Sequence, residues 1–150
     1  MFEPKKILVP TDFSEYADRA LAQAVDIATK YNSKIYLLHV IDQGVQQCVV
    51  DYCLEDEVVK QIEKEGFNTA QEKLKKELKK LSGMKGLNVE YDIKHGVPYD
   101  VILKEQREKG IDLIVIASHG KTGLMKYFMG SVAERVLRDA KSPVLLVRAS

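Results

Sequence analysis

The residues best equipped for chemistry lie between Leu113 and Val132. Four apolar residues, Leu113-Ile114-Val115-Ile116, give way to Ala117-Ser118-His119-Gly120, and after nine intervening residues come Gly130-Ser131. A helical pattern follows from Val132 to Ala140, and Ser131 with Glu134 three residues on reads as a capping box. A strand that feeds a glycine-punctuated loop and then a helix start presents backbone N–H groups and a positive helix end beside a strand terminus. Such an arrangement can hold phosphate. Small and polar residues also serve turn geometry alone, and Ser131 can be no more than an N-cap. The spacing by itself supports the two readings equally. Asp12, in Thr11-Asp12-Phe13-Ser14, is the second residue of interest. Either it closes a turn, or it offers a carboxylate to a ribose hydroxyl or a divalent cation, and the local residues alone favour the turn. Two familiar phosphate motifs are excluded. Gly120-Lys121-Thr122 resembles the tail of GxxxxGK[ST], but Val115 stands where the first glycine is required, and GxGxxG is absent.

These residues need elements to position them. The apolar run before Ala117 is short and β-branched, which suits a strand buried on both faces. Lys5 to Val9 and Ile35 to Val40 read the same way, and Pro143 leads into Val144-Leu145-Leu146-Val147. Pro10 ends the first strand. Leu87 to Ile93 differs: Leu87, Val89, Tyr91 and Ile93 alternate with polar residues, so one face is wet and the strand belongs at a sheet edge. Between the strands lie helical patterns. Ser14 caps the first, in which Ala17, Ala20, Leu21, Ala24, Val25 and Ala28 form a small-residue face. The longest, Glu55 to Leu81, carries a stripe through Val59, Ile62, Phe67, Ala70, Leu74, Leu78 and Leu81, with interleaved Lys and Glu on its solvated face. Pro98 opens another, which Gly110 ends. The connection from Ile41 to Leu54 is long and partly apolar, a short helix or a lid.

Strand alternating with helix defines an α/β protein with a parallel sheet. With the alternating third strand outermost and right-handed crossovers, the order is 3-2-1-4-5, with helices on both faces. Chain direction then reverses between strands 1 and 4, so the loops after them, carrying Asp12 and Gly120, face each other across the crevice where such sheets bind ligands. The last strand, wholly apolar, falls at the other edge. An open edge invites pairing with a second copy, a homodimer through Val144–Val147, with Leu145 as the donor whose loss disrupts it. The competing expectation is a short edge that stays solvated.

Composition narrows the function. At 150 residues the chain is one domain with room for a core, 45% hydrophobic and 30% charged. A net charge of +1 gives no electrostatic case for nucleic acid or a membrane surface. No apolar run reaches spanning length, and the first residues, MFEPKK, do not read as a signal peptide. A cytoplasmic protein is expected. Cys48 and Cys53 have neither CxxC spacing nor a histidine cluster beside them, and read as ordinary thiols. His39 reads as a packed, hydrogen-bonded side chain and His95 as a loop residue. His119 has no identifiable orienting partner, and with no paired carboxylates there is no catalytic set.

Ala117-x-x-Gly120, nine residues and Gly130-Ser131 resemble the nucleotide-binding signature of the universal stress protein family, G-x2-G-x9-G-[S/T]. Ile7-Leu8-Val9-Pro10-Thr11-Asp12-Phe13-Ser14 is similar to that family's first strand and acidic turn, and the resemblance covers essentially the whole chain. Ala117 departs from the pattern, which has glycine there, and should reduce room for close ligand approach without excluding it. The resemblance implies a Rossmann-like sheet of the adenine nucleotide alpha hydrolase-like kind that binds ATP or AMP with Mg²⁺ or Mn²⁺. On this reading the backbone of Gly130, Ser131 and Val132, with the Ser118 and Ser131 hydroxyls, holds phosphate. Gly120 permits close approach, and His119 or Lys121 adds a polar contact. Asp12 meets ribose or the metal, while Pro10, Thr11, Val40 and Ile116 wall the adenine, Val40 through its backbone. Ala117 completes the set. The family also implies a homodimer and a nucleotide-dependent switch in stress survival, with at most slow hydrolysis. The alternative is a nucleotide-free homodimeric interaction module. An adenylating enzyme lacks room for its substrate region, and a phospho-acceptor domain would want an acidic pair where only Asp12 stands.

Overall fold

A computed structural model describes residues 1–42, 55–120 and 129–148. The expectations for Cys48, Cys53, Lys121 and most of the Ile41–Leu54 connection lie outside the described residues. Five strands, β1 (Lys6–Pro10), β2 (Lys34–Asp42), β3 (Asn88–Gly96), β4 (Leu113–Ala117) and β5 (Val144–Val147), form one parallel sheet in the order β3-β2-β1-β4-β5. The described helices are α1 (Glu15–Tyr31), α2 (Asp56–Leu81), α3 (Pro98–Lys109) and α4 (Ser131–Asp139).

The strand alternation sorts the core into two layers. Ile7, Val9, Ile35, Leu37, Leu113 and Val115 meet the small-residue face of α1 and Leu74 of α2. Leu8, Leu38, Ile114 and Ile116 meet Ile102 of α3 and Ala133 and Val136 of α4. Each large aliphatic side chain so removed from water contributes about 1.5–3 kcal/mol. These two faces are what hold the ends of β1 and β4 side by side.

Local signals set several boundaries. Ser14 Oγ accepts from the Ala17 N–H at 3.1 Å, starting α1, and Asn32 ends it in the left-handed region at φ 53°. Pro98 stands in the first turn of α3, and Gly110, at φ 62°, ends it. Three expectations are corrected. β3 runs on through Lys94, His95 and Gly96, because β2 extends to Asp42 and supplies a partner for each of them; His95 is therefore a strand residue. In α2 only Ala70 and Leu74 are buried, while Ile62 and Phe67 are exposed: the apolar stripe outruns the sheet it packs on. α4 begins at Ser131, with Gly130 as its N-cap, and no side chain caps it. Glu134 instead pairs with Arg138, Arg138 Nη2 donating to Glu134 Oε1 at 2.9 Å, so the capping box does not form.

The phase of the β4–β5 ladder corrects a fourth. The Pro143 carbonyl accepts from Ile114 N–H and the Val147 carbonyl from Ser118 N–H. Backbone groups alternate sides along a strand, so Leu145 also faces β4. Val144 and Leu146 carry the N–H and C=O groups of the open edge.

Candidate functional site

The site begins with two strand ends. Thr11 prolongs the β1–β2 ladder, its N–H donating to the Leu38 carbonyl at 2.8 Å. Beyond it the turn is closed by its own side chains. The Phe13 N–H donates to Thr11 Oγ1 at 3.1 Å and the Ser14 N–H to Asp12 Oδ1 at 2.9 Å. Asp12 therefore fills the turn-closing role with one carboxylate oxygen. The other, Oδ2, lies towards Gly120: a Cβ on that glycine would come within 2.8 Å of it.

After β4, the Ser118 carbonyl accepts from Gly130 N–H at 2.7 Å, which brings the start of α4 back against the strand end. A Cβ on Gly130 would sit 3.3 Å from the Ser118 carbonyl oxygen and 3.7 Å from His119 Cα. Its φ and ψ, −62° and 148°, are open to any residue, so the glycine is needed for space and not for its dihedral angles. Ser118 is buried, and its Oγ and His119 Nδ1 share a hydrogen bond of 2.8 Å. The Tyr16 ring stands 6.1 Å from the His119 ring. His119 thus has orienting partners that the sequence reading did not identify, one in the residue before it and one from α1.

Between the two loops opens a cleft of about 400 Å³, within the size range of small-molecule sites. On the β2 and α3 side its wall is largely apolar, Leu38, Val40, Pro98 and Ile102 with Pro10 and Ile116 beside them, and Asp42 stands at the end of β2. On the β4 and α4 side it is small and polar: Ala117, Ser118, His119, Gly120, Gly130, Ser131 and Val132, with Thr11 and Asp12 from the β1 loop. Pro10, Thr11, Asp12, Val40, Ile116, Ala117, Ser118, His119, Gly120, Gly130, Ser131 and Val132 are thereby all brought to one cleft. Sequence reasoning missed Ala17, Leu38, Asp42, Pro98, Ile102 and Ala133, which also line it. Asp42 lies two residues past Val40, where the sequence pattern ends the strand, and the β2–β3 register shows that the strand reaches it. Nearby, burial and then the Glu77 carboxylate hold the Asp18 carboxyl above its usual range, and Asp12 adds a smaller push in the same direction.

A doubly wound parallel sheet with a cleft at its topological switch point, between the ends of β1 and β4, defines a Rossmann-like α/β protein. The chain belongs to the universal stress protein family, whose model matches residues 3–148. It is 35% identical to universal stress protein MJ0577 of Methanocaldococcus jannaschii, over 96% of this chain and 94% of that one. The solved structure of MJ0577 superposes with a TM-score of 0.78 at 36% identity, covering 99% of each chain. Two further solved structures share the fold at lower identity. One is a universal stress protein in complex with cAMP, at 23% identity and TM-score 0.62 over 99% of this chain and 100% of that one. The other is the universal stress protein from Archaeoglobus fulgidus in complex with dAMP, at 24% and 0.58 over 97% and 99%. No described helix is long and apolar enough to cross a membrane.

Proposed function

We propose that the protein binds an adenine nucleotide, ATP foremost, in the cleft between β1 and β4. The observation that carries this is the division of one cleft into an apolar wall and a wall of glycine, serine and a helix start. Leu38, Val40, Ile102 and Ile116 match the faces of a purine. The backbone at Gly130, Ser131 and Val132, with the Ser118 and Ser131 hydroxyls, matches phosphate oxygens. Asp12 lines the cleft from the β1 loop beside Gly120, a fitting place for a carboxylate that accepts from ribose hydroxyls. The fold can accept such ligands, as the cAMP and dAMP complexes illustrate for those two proteins.

Among the described residues no three His, Cys, Asp or Glu side chains converge as a metal site. A Mg²⁺ or Mn²⁺ ion would therefore rely on phosphate oxygens and water, with Asp12 as its protein ligand, in keeping with how Mg²⁺ is usually held. The ion would supply charge neutralisation for the phosphates. On this reading the nucleotide serves a switch in a stress response, with slow hydrolysis at most. Two copies joined through β5 fit the outward-facing backbone of Val144 and Leu146.

Nucleotide released by denaturing freshly purified protein, identified by mass spectrometry, tests the reading. Adenine nucleotide in the supernatant is expected, together with a melting temperature that rises with added ATP. Protein that releases no adenine nucleotide and shows no thermal shift with ATP would overturn it.

A further inference from the structure

Phe13 adopts a left-handed backbone, φ 65°, a property shared among described non-glycine residues only with Asn32. Asparagine tolerates that region, whereas a bulky side chain is held there only by its surroundings. The surroundings are specific. The Phe13 ring packs on the His39 imidazole, centroids 4.4 Å apart and planes tilted by 38°. Lys73 Nζ of α2 stands 5.3 Å from the same ring. His39, on β2, places Nδ1 2.8 Å from the Thr11 carbonyl oxygen. A carbonyl only accepts, so Nδ1 carries the hydrogen and donates.

These contacts grip one residue from both sides. Thr11 is fixed at its N–H by the Leu38 carbonyl and at its C=O by His39. The Thr11 carbonyl belongs to the peptide plane that leads into Asp12. Phe13, packed on the same imidazole, fixes the backbone that leaves Asp12. Neither His39 nor Phe13 is among the described residues lining the cleft, so any effect on a ligand passes through Asp12 and Thr11.

We propose that His39 and Phe13 are positioning residues for ligand binding: the imidazole–phenyl pair holds the Thr11–Asp12 peptide so that the Asp12 carboxylate is presented to the cleft. The proposal rests on the nucleotide reading above and deepens it. It makes a layer beneath the cleft, reaching α2 through Lys73, part of what determines nucleoside affinity.

The test compares His39→Leu, which fills space but cannot donate, with His39→Asn, whose amide N–H₂ takes the place of Nδ1. Calorimetric titration with adenosine and with ATP is combined with amide hydrogen exchange at residues 12–14 of the ligand-free protein. Val25→Ala, a buried α1 substitution outside the cleft, serves as a control for lost stability. His39→Leu should weaken adenosine and ATP alike by about tenfold, equivalent to about 1.4 kcal/mol, and speed exchange at Phe13 and Ser14. His39→Asn should stay within about threefold of wild type, and Val25→Ala should bind normally. Phe13→Gly, relieved of its backbone strain, should remain folded yet bind adenosine more weakly. Wild-type affinity in His39→Leu, or no recovery in His39→Asn, overturns the positioning role while leaving the nucleotide site intact. Absence of binding to the wild type removes the site itself.

Discussion

The Oδ2 atom of Asp12 occupies the space a side chain at residue 120 would need: a Cβ there would lie 2.8 Å from it. The two residues come from loops after neighbouring strands, and they meet because the chain order reverses between β1 and β4. Asp12 cannot simply swing away, since its other oxygen closes the turn on the Ser14 N–H.

Gly120→Ala should therefore displace the carboxylate and weaken nucleotide binding by about tenfold, roughly 1.4 kcal/mol. In an Asp12→Ala background the same substitution should cost little more, because the obstructing oxygen is gone. A double-mutant cycle by calorimetry checks this; strict additivity of the two losses would contradict the contact.

Asp12 has two tasks, and two substitutions separate them. Asparagine keeps an oxygen for the Ser14 N–H but removes the charge; alanine removes both. Urea unfolding should show Asp12→Asn near wild type and Asp12→Ala lower by about 1 kcal/mol. Nucleotide affinity should fall in both. A loss that appears only with Mg²⁺ assigns the carboxylate to the metal, and an equal loss with and without Mg²⁺ assigns it to ribose. Unchanged affinity in Asp12→Asn would leave the turn as its sole role.

Much of this was legible in the residues. Alternation in Leu87–Ile93 placed β3 at an edge; together with right-handed crossovers this fits the order 3-2-1-4-5, which brings the loops of Asp12 and Gly120 face to face. Side-chain periodicity is less informative about where packing stops. The α2 stripe continues past the sheet, so Ile62 and Phe67 are exposed although they sit in register with Leu74. Strand ends are set by the partner strand: Lys94, His95 and Asp42 look like loop residues until β2 and β3 are paired. The capping box failed because the helix starts one residue earlier than its pattern implies. The left-handed Phe13 and its contact with His39 join residues 26 apart in sequence, with no local signature.

An ionic cluster on the far side of β2 carries a prediction about stability. Glu105 of α3 is 1% exposed, paired with Lys94 of β3 and with Lys109 at 3.8 Å. Lys109 also reaches Glu90, which Lys34 holds at 2.7 Å. Glu105→Ala should cost about 2 kcal/mol in urea unfolding, less than for a fully buried pair because both lysines keep partial contact with water. Glu105 is the main cause that holds the Lys94 ammonium above its ordinary pKa of 10.5. A raised lysine pKa stabilises fully below the unfolded value and is lost as pH climbs through the folded one. On the alkaline side, the stability gap between wild type and Lys94→Met should thus hold up to pH 10.5 and narrow above it. A gap that is already closed at neutral pH would contradict the assignment.

The β5 edge separates two substitutions that look alike in sequence. Leu146→Pro removes an outward N–H and should leave the fold standing while abolishing self-association through the edge. Leu145→Pro breaks the ladder to β4 and should cost about 3 kcal/mol or more. Sedimentation at several concentrations decides: a monomeric wild type, or a folded Leu146→Pro that still dimerises, rules the edge out.

The most direct test of the nucleotide site is calorimetric titration of Mg-ATP into wild-type protein and Gly130→Val. The valine would drive branched carbons into the Ser118 carbonyl and the His119 backbone, where a bare Cβ already lies at 3.3 and 3.7 Å. The expected result is saturable binding at one nucleotide per chain in wild type and none in the folded variant. No binding in wild type, or wild-type affinity in a folded Gly130→Val, would contradict the site.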